Sequence, residues 1–158
     1  VDSFGVVESI PTAFDGGTAN ARGNDGGTND PFTLFNVTGD VLVRIFGVCT
    51  TLLAGATATL EVGVTGNTAA LIALTTATDI DANELWNDTT PGVGTDTLAN
   101  ITGPHVIVNG LDIIETVATA DITSGNTYYV CLWRPLSVGQ DAAGNSIAGN
   151  IVAAGTQI

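Results

Sequence analysis

Asp40-Val41-Leu42-Val43-Arg44-Ile45-Phe46-Gly47-Val48-Cys49-Thr50-Thr51-Leu52-Leu53 (DVLVRIFGVCTTLL) decides the fold. The stretch is rich in β-branched and aromatic residues, which fit a pleated surface. In an extended chain, Val41, Val43, Ile45, Gly47 and Cys49 share one face, and Leu42, Arg44, Phe46 and Val48 share the other. Both faces are largely apolar. Such a strand is covered on both sides or packed against a neighbouring subunit.

The flanking sequence repeats the pattern in shorter pieces. Pro31 to Val37 reads as a strand stopped by Thr38-Gly39-Asp40. Thr57 to Val64 alternates with its even positions inward, and Gly66-Asn67 turns the chain into the apolar run Ala69 to Leu74. Thr78 to Trp86 departs from strand character and predicts one or two helical turns or a compact loop. Residues 87–103 look like a loop. His105 to Val108 and Leu111 to Val117 flank Asn109-Gly110, a hairpin signal, because Asn-Gly supplies the positive φ of a type I′ turn. Ser124-Gly125-Asn126 then leads into NTYYVCLWRPLS, Asn126 to Ser137. Tyr129, Cys131 and Trp133 fall on one face there, and Tyr128, Val130, Leu132 and Arg134 on the other. Pro135 cannot donate to a ladder and ends the strand. A last short strand is expected around Ile151-Val152.

These signals predict an all-β domain over residues 31–158, with a Gly/Ala-rich tail. It is an antiparallel β-sandwich or jelly-roll-like barrel of about seven or eight strands with at most one short helix. Residues 1–30 differ. Gly, Asn, Asp and Thr dominate, with no period of two or 3.6, which predicts an extended, flexible N-terminal arm. The start at Val1, without Met, is expected from a removed initiator or a processed terminus.

The 158 residues carry 16 acidic side chains, three arginines (Arg22, Arg44, Arg134) and no lysine, a net charge of -13. Phosphate backbones are bound by Lys and Arg that displace counterions, so nucleic acid and anionic membrane surfaces are poor partners. No apolar run approaches the length that spans a bilayer as a helix. Partners must be met through apolar and hydrogen-bonding contacts or through basic groups of their own.

Catalytic chemistry is weakly signalled, and no catalytic, cofactor or metal residue is assigned. His105 opens a strand with no metal-ligand spacing beside it, and no GxSxG elbow occurs. Asp112 with Glu115, or Asp79 with Asp81 and Glu84, are the carboxylate groupings a glycosidase would use, but acids near turns are usually solvated. Asp79, Asp81 and Asn83 mimic the start of an EF-hand that fails at Glu84 and Thr90. DGGT occurs at Asp15 to Thr18 and Asp25 to Thr28, a spacing of carboxylates and glycines that oxygen-seeking calcium tolerates, in too few copies for the nonapeptide repeat. Asn36, Asn87 and Asn100 open N-x-T sequons. Cys49 and Cys131 are either two buried thiols, the favoured reading, or one bridge between strands. Trp133-Arg134, with Trp86, offers a stacking surface for a sugar, but the alternation places Trp133 on a core or interface face.

Three stretches resemble a known family. They are Tyr129-x-Cys131-x-Trp133-x-Pro135-Leu136-Ser137; Leu34 to Gly39 running on through Val41 to Thr51 and Ala58 to Val64; and Ala77 to Ala82. Together they are similar to the small β proteins encoded beside capsid genes in tailed bacteriophages, over roughly residues 32 to 137. The resemblance implies a capsid decoration (cement) protein of β-barrel or jelly-roll type, located on the virion surface. It would bind the major capsid protein and itself, as a homotrimer, without a cofactor. Val1, Phe4, Val6, Val7, Phe46, Trp133 and Arg134 are the expected interface residues. Two alternatives remain: a secreted or cell-surface filament subunit in which residues 1–10 fill a neighbour's groove, and an extracellular carbohydrate-binding module.

Overall fold

The computed structural model describes residues 5–93, 101, 103–136, 139–140, 146–147 and 149–154. The chain is all-β. Its strands are β1 (Gly5–Ser9), β2 (Phe32–Thr38), β3 (Val41–Ala54), β4 (Thr59–Val64), β5 (Asn67–Thr76), β6 (Glu84–Trp86), β7 (Gly92–Val93), β8 (His105–Ile107), β9 (Ile113–Ala118), β10 (Ser124–Pro135), β11 (Gly139–Gln140), β12 (Ser146–Ile147) and β13 (Asn150–Ala153). Of the helical turns or compact loop expected over Thr78 to Trp86, only a single 3-10 turn forms, Ala77–Asp79, and Glu84–Trp86 is strand β6 instead.

Two antiparallel sheets make the body. One runs β1-β10-β3-β6-β7 with β8 also on β3; the other runs β13-β2-β9-β4-β5. Neither closes into a barrel, so the architecture is a sandwich. The strand count exceeds the seven or eight expected because very short strands, such as β7, β11 and β12, leave no periodic signal.

The opening stretch behaves as its alternation requires. Val41, Val43, Ile45 and Cys49 are buried, and Leu42, Arg44, Phe46 and Val48 are half-buried. β10 lies antiparallel along its full length, with Cys131 opposite Ile45, Tyr129 opposite Gly47 and Pro135 opposite Val41. The even positions Ala58, Leu60 and Val62 face inward from β4. Gly47 is small for a packing reason: a Cβ there would sit 3.1 Å from the Tyr129 ring and 3.3 Å from that of Trp86. Those two rings lie 6.2 Å apart at 58° over the gap, a tilted pairing suited to the aromatic quadrupole.

Two expectations are corrected. Asn109 and Gly110 do take positive φ (59° and 65°), but they do not close a hairpin. β8 pairs with β3, whereas β9 pairs with β2 and β4 in the other sheet. The turn therefore carries the chain across the sandwich, pinned by the Gly110 amide on the Gly39 carbonyl at 2.9 Å.

The second correction concerns residues 1–30. Within the described part, the segment is packed rather than extended and free. β1 pairs with β10, and Phe14 and Arg22 are buried. From Asp15 to Asp30 the chain makes a turn every three residues: the amides of Thr18, Ala21, Asn24, Gly27 and Asp30 each donate to the carbonyl three residues back. Asp and Asn side chains satisfy amides within this coil, as in Asp30 accepting from Gly26 at 3.0 Å and Asn20 accepting from Thr28 at 3.0 Å. Gly16 explains the first DGGT, because a Cβ there would meet the carbonyl oxygens of Gly23 and Ile122 at 2.4 and 2.6 Å. The coil is thus tied to the body by backbone, with the Gly16 amide donating to Ile122 and the Ile122 amide to Gly23, both at 2.8 Å.

Candidate functional site

Ile113, Glu115 and Val117 all point inward from β9, so a carboxylate stands in the core. Burying an unpaired charge is prohibitive, and the coil of residues 15–30 supplies the partner. Arg22, 2% exposed, grips Glu115 through two parallel bonds: Nε to Oε1 at 2.8 Å and Nη2 to Oε2 at 2.6 Å. The remaining guanidinium donors reach the Thr12 carbonyl at 2.8 Å, Asn126 Oδ1 at 3.0 Å and Thr127 Oγ1 at 2.9 Å. The Phe14 ring lies 3.8 Å from the guanidinium carbon, within cation–π range. Tyr129 donates its hydroxyl to Glu115 Oε2.

This fork-to-fork geometry is the strong form of a charged hydrogen bond. Burial works against the charge on Arg22, but Glu115 beside it overcomes this and holds its pKa above the usual value. Burial, and then the Glu115 charge, pushes the Tyr129 hydroxyl well above its ordinary range. All the groups are spent on one another, and the cluster fastens the N-terminal coil to both sheets. Neither Arg22 nor Thr127 was marked by the sequence reading. The available signal was Glu115 at an inward position of an apolar strand, in a chain with three cations.

Of the other candidate carboxylates, Asp112 and Glu84 satisfy backbone amides. Asp112 accepts from the Val37 amide at 2.9 Å and from Asn36 at 3.2 Å, while Glu84 caps the Asp81 amide at 2.8 Å. Among the described residues no three His, Cys, Asp or Glu side chains are placed to share a metal ion. Asp15 of the first DGGT accepts from the Thr18 hydroxyl at 2.7 Å.

Cys49 and Cys131 are both buried and free. Cys49 stands opposite Thr127, and Cys131 opposite Ile45. Four residues along a strand is about 13 Å, beyond disulfide reach. Burial pushes Cys131 up to about 12. Cys49 rises to about 11, also by burial, with the charges of Glu84 and Asp81 adding to it. The thiolate is the reactive form, so a thiol reagent at neutral pH is expected to titrate no cysteine in the native protein and both after denaturation. Reaction of either thiol in the native state would contradict this placement. The raised values also make alkali destabilising. Both contributions are complete below the ordinary thiol pKa near 9.0 and fade as pH rises toward about 11 and about 12.

The expected interface residues divide. Val1 and Phe4 lie outside the described residues. Val7 and Trp133 are half-buried against the core, where β1 runs along β10 with Gly5 opposite Trp133 and Val7 opposite Cys131. The strand that a filament subunit would donate to a neighbour thus pairs with its own β10. Val6 is 62% exposed on the outward face. Phe46 and Arg134 share that face, half-buried, with Leu42, Val48, Val130 and Leu132. Trp86 is wholly buried and does not join Trp133 in an exposed stacking surface.

A second feature lies where the sheets part. A groove of about 320 Å³ runs between β8 and the β4–β5 hairpin, lined by Val64, Leu71, His105, Val106, Val108 and Leu111 among others. Among the described residues, His105 Nε2 is buried without a hydrogen-bond partner. Burial first, and then Arg44, lowers the His105 pKa below 6.5. The unfolded chain therefore takes up its proton first as pH falls. The contribution of a neutral His105 is intact above pH 6.5 and declines from there toward the folded pKa. A His105→Gln variant is expected to show a shallower fall in melting temperature between about pH 7.5 and about pH 5.5 than wild type; identical slopes would contradict it.

Comparison of the chain with protein-family profiles, curated proteins and solved structures gives no match.

Proposed function

We propose that this chain is a virion structural protein. It acts as a capsid decoration (cement) protein that binds the outer surface of a tailed-phage capsid as a trimer and reinforces contacts between capsomers. The supporting observation is the outward face of the β10–β3 pair. Leu42, Phe46, Val48, Val130 and Leu132 lie there, half-buried, beside Arg44, Tyr128 and Arg134, on a sheet whose inward face already fills the core. An antiparallel sheet in a self-sufficient monomer sets polar side chains on its outer face; an apolar one suits a sheet that meets further protein. The Arg22 cluster adds stiffness, which lowers the entropy lost on docking. The resemblance of Tyr129 to Ser137 to the closing strand of decoration proteins supports the same reading.

Light scattering of the purified chain tests the oligomer, with a mass of three chains expected. A strict monomer that also fails to sediment with capsids would count against the proposal.

A further inference from the structure

We infer that the groove between β8 and the β4–β5 hairpin is a docking site for an extended, uncharged, apolar arm of a second polypeptide. On the reading proposed above, that arm belongs to the capsid subunit. The groove is an uncharged stretch of an acidic protein's surface. Val106, Val108 and Leu111 are 60%, 48% and 38% exposed at its rim. None of the nine residues lining it carries a carboxylate or guanidinium, although the whole chain has 16 acidic residues. Water solvates such a surface poorly, and an ionic partner would lose hydration there with no counter-charge.

Size selects an arm over a globular face. Stable protein pairs bury roughly 1,200–2,000 Å², far more than one groove of about 320 Å³ and its rim can supply. The space instead matches a few apolar side chains presented by an extended segment. One further observation fits a strand in particular. Among the described residues β8 has β3 as its sole strand partner, and no described strand covers its other edge, the edge that main-chain pairing would use. His105, whose single ring lines the same groove, supplies a reporter of occupancy at its floor.

His105 is the single histidine, so its imidazole gives one unambiguous NMR signal set. The full chain is titrated with acetyl-Val-Thr-Val-Thr-Val-Thr-amide, and with the same peptide carrying lysine at each valine position. The expected result is a saturable shift of the His105 and Val106 signals by the valine peptide alone. Affinity should fall at least tenfold in a Val106→Glu, Val108→Glu variant, whose exposed positions leave the fold intact by circular dichroism. Three results would overturn the inference: no shift at millimolar peptide, equal shifts in the variant, or the same shifts produced by raising protein concentration alone, which would make a second copy the occupant. Sedimentation of wild type and variant with capsids separates this inference from the functional reading. Capsid binding that survives the variant sinks the groove assignment. Peptide binding without any capsid binding keeps the groove and removes the virion role.

Discussion

Replacing Arg22 by methionine is expected to cost about 3–5 kcal/mol, the range for breaking a buried ion pair from one side. Glu115 would remain in the core with its charge unanswered, since Arg22 supplies both of its short nitrogen contacts. The loss extends beyond the pair. Arg22 also holds Thr12, Asn126 and Thr127 and lies against Phe14, so the coil of residues 15–30 loses its main side-chain anchor. The urea midpoint should fall, and amide exchange should accelerate first at Gly16 and Ile122, whose backbone bonds hold the coil down. The double variant Arg22→Met, Glu115→Leu is expected to recover much of the stability, because it removes the orphaned charge along with its partner. A single variant as stable as wild type would show that the coil is held by its backbone alone.

Trp86→Ala carries the second large effect, about 3–5 kcal/mol, or about 6–20 °C in melting temperature for a chain of this length. Trp86 is wholly buried, stacks at a tilt on Tyr129 and donates its indole N–H to Thr75 Oγ1 at 2.9 Å. Gly47 leaves the space that this side chain fills, and β6 has few other residues to hold it on β3. Trp86→Phe keeps an aromatic ring and loses the indole hydrogen bond, while the Thr75 hydroxyl still donates to the Ala73 carbonyl at 2.9 Å, and it should cost half as much or less. Calorimetry of the two variants checks the order; equal losses would assign the effect to the hydrogen bond instead of the volume.

The parts legible in the sequence were those written in local alternation. Val41 to Cys49, Ala58 to Val64 and Tyr128 to Arg134 each declare their inward residues through a period of two, and the structure buries the residues so marked except Val64 and Trp133, which are half-buried against the core. Asn109-Gly110 declared its dihedrals but not its destination. A turn fixes chain direction over a few residues, and the pairing of His105–Ile107 with Val41–Val43 is a long-range choice. The coil of residues 15–30 was misread for a related reason. Its repeat is three residues, made by backbone turns and not by side-chain hydropathy, so no period of two or 3.6 exists to find. The Arg22–Glu115 pair joins positions 93 apart, and local pattern cannot reach that far. What could be inferred is that an inward Glu115 must be matched, and that Arg22, Arg44 and Arg134 were the candidates.

Central to the proposed function are a largely apolar sheet face and an uncharged groove as the surfaces that would meet another protein. The most direct measurement heats tailed-phage capsid particles, with and without the purified protein, and follows genome or dye release. Retention of the chain on the particles, with rupture at a higher temperature, is predicted. Unbound chain and an unchanged rupture temperature would contradict the account.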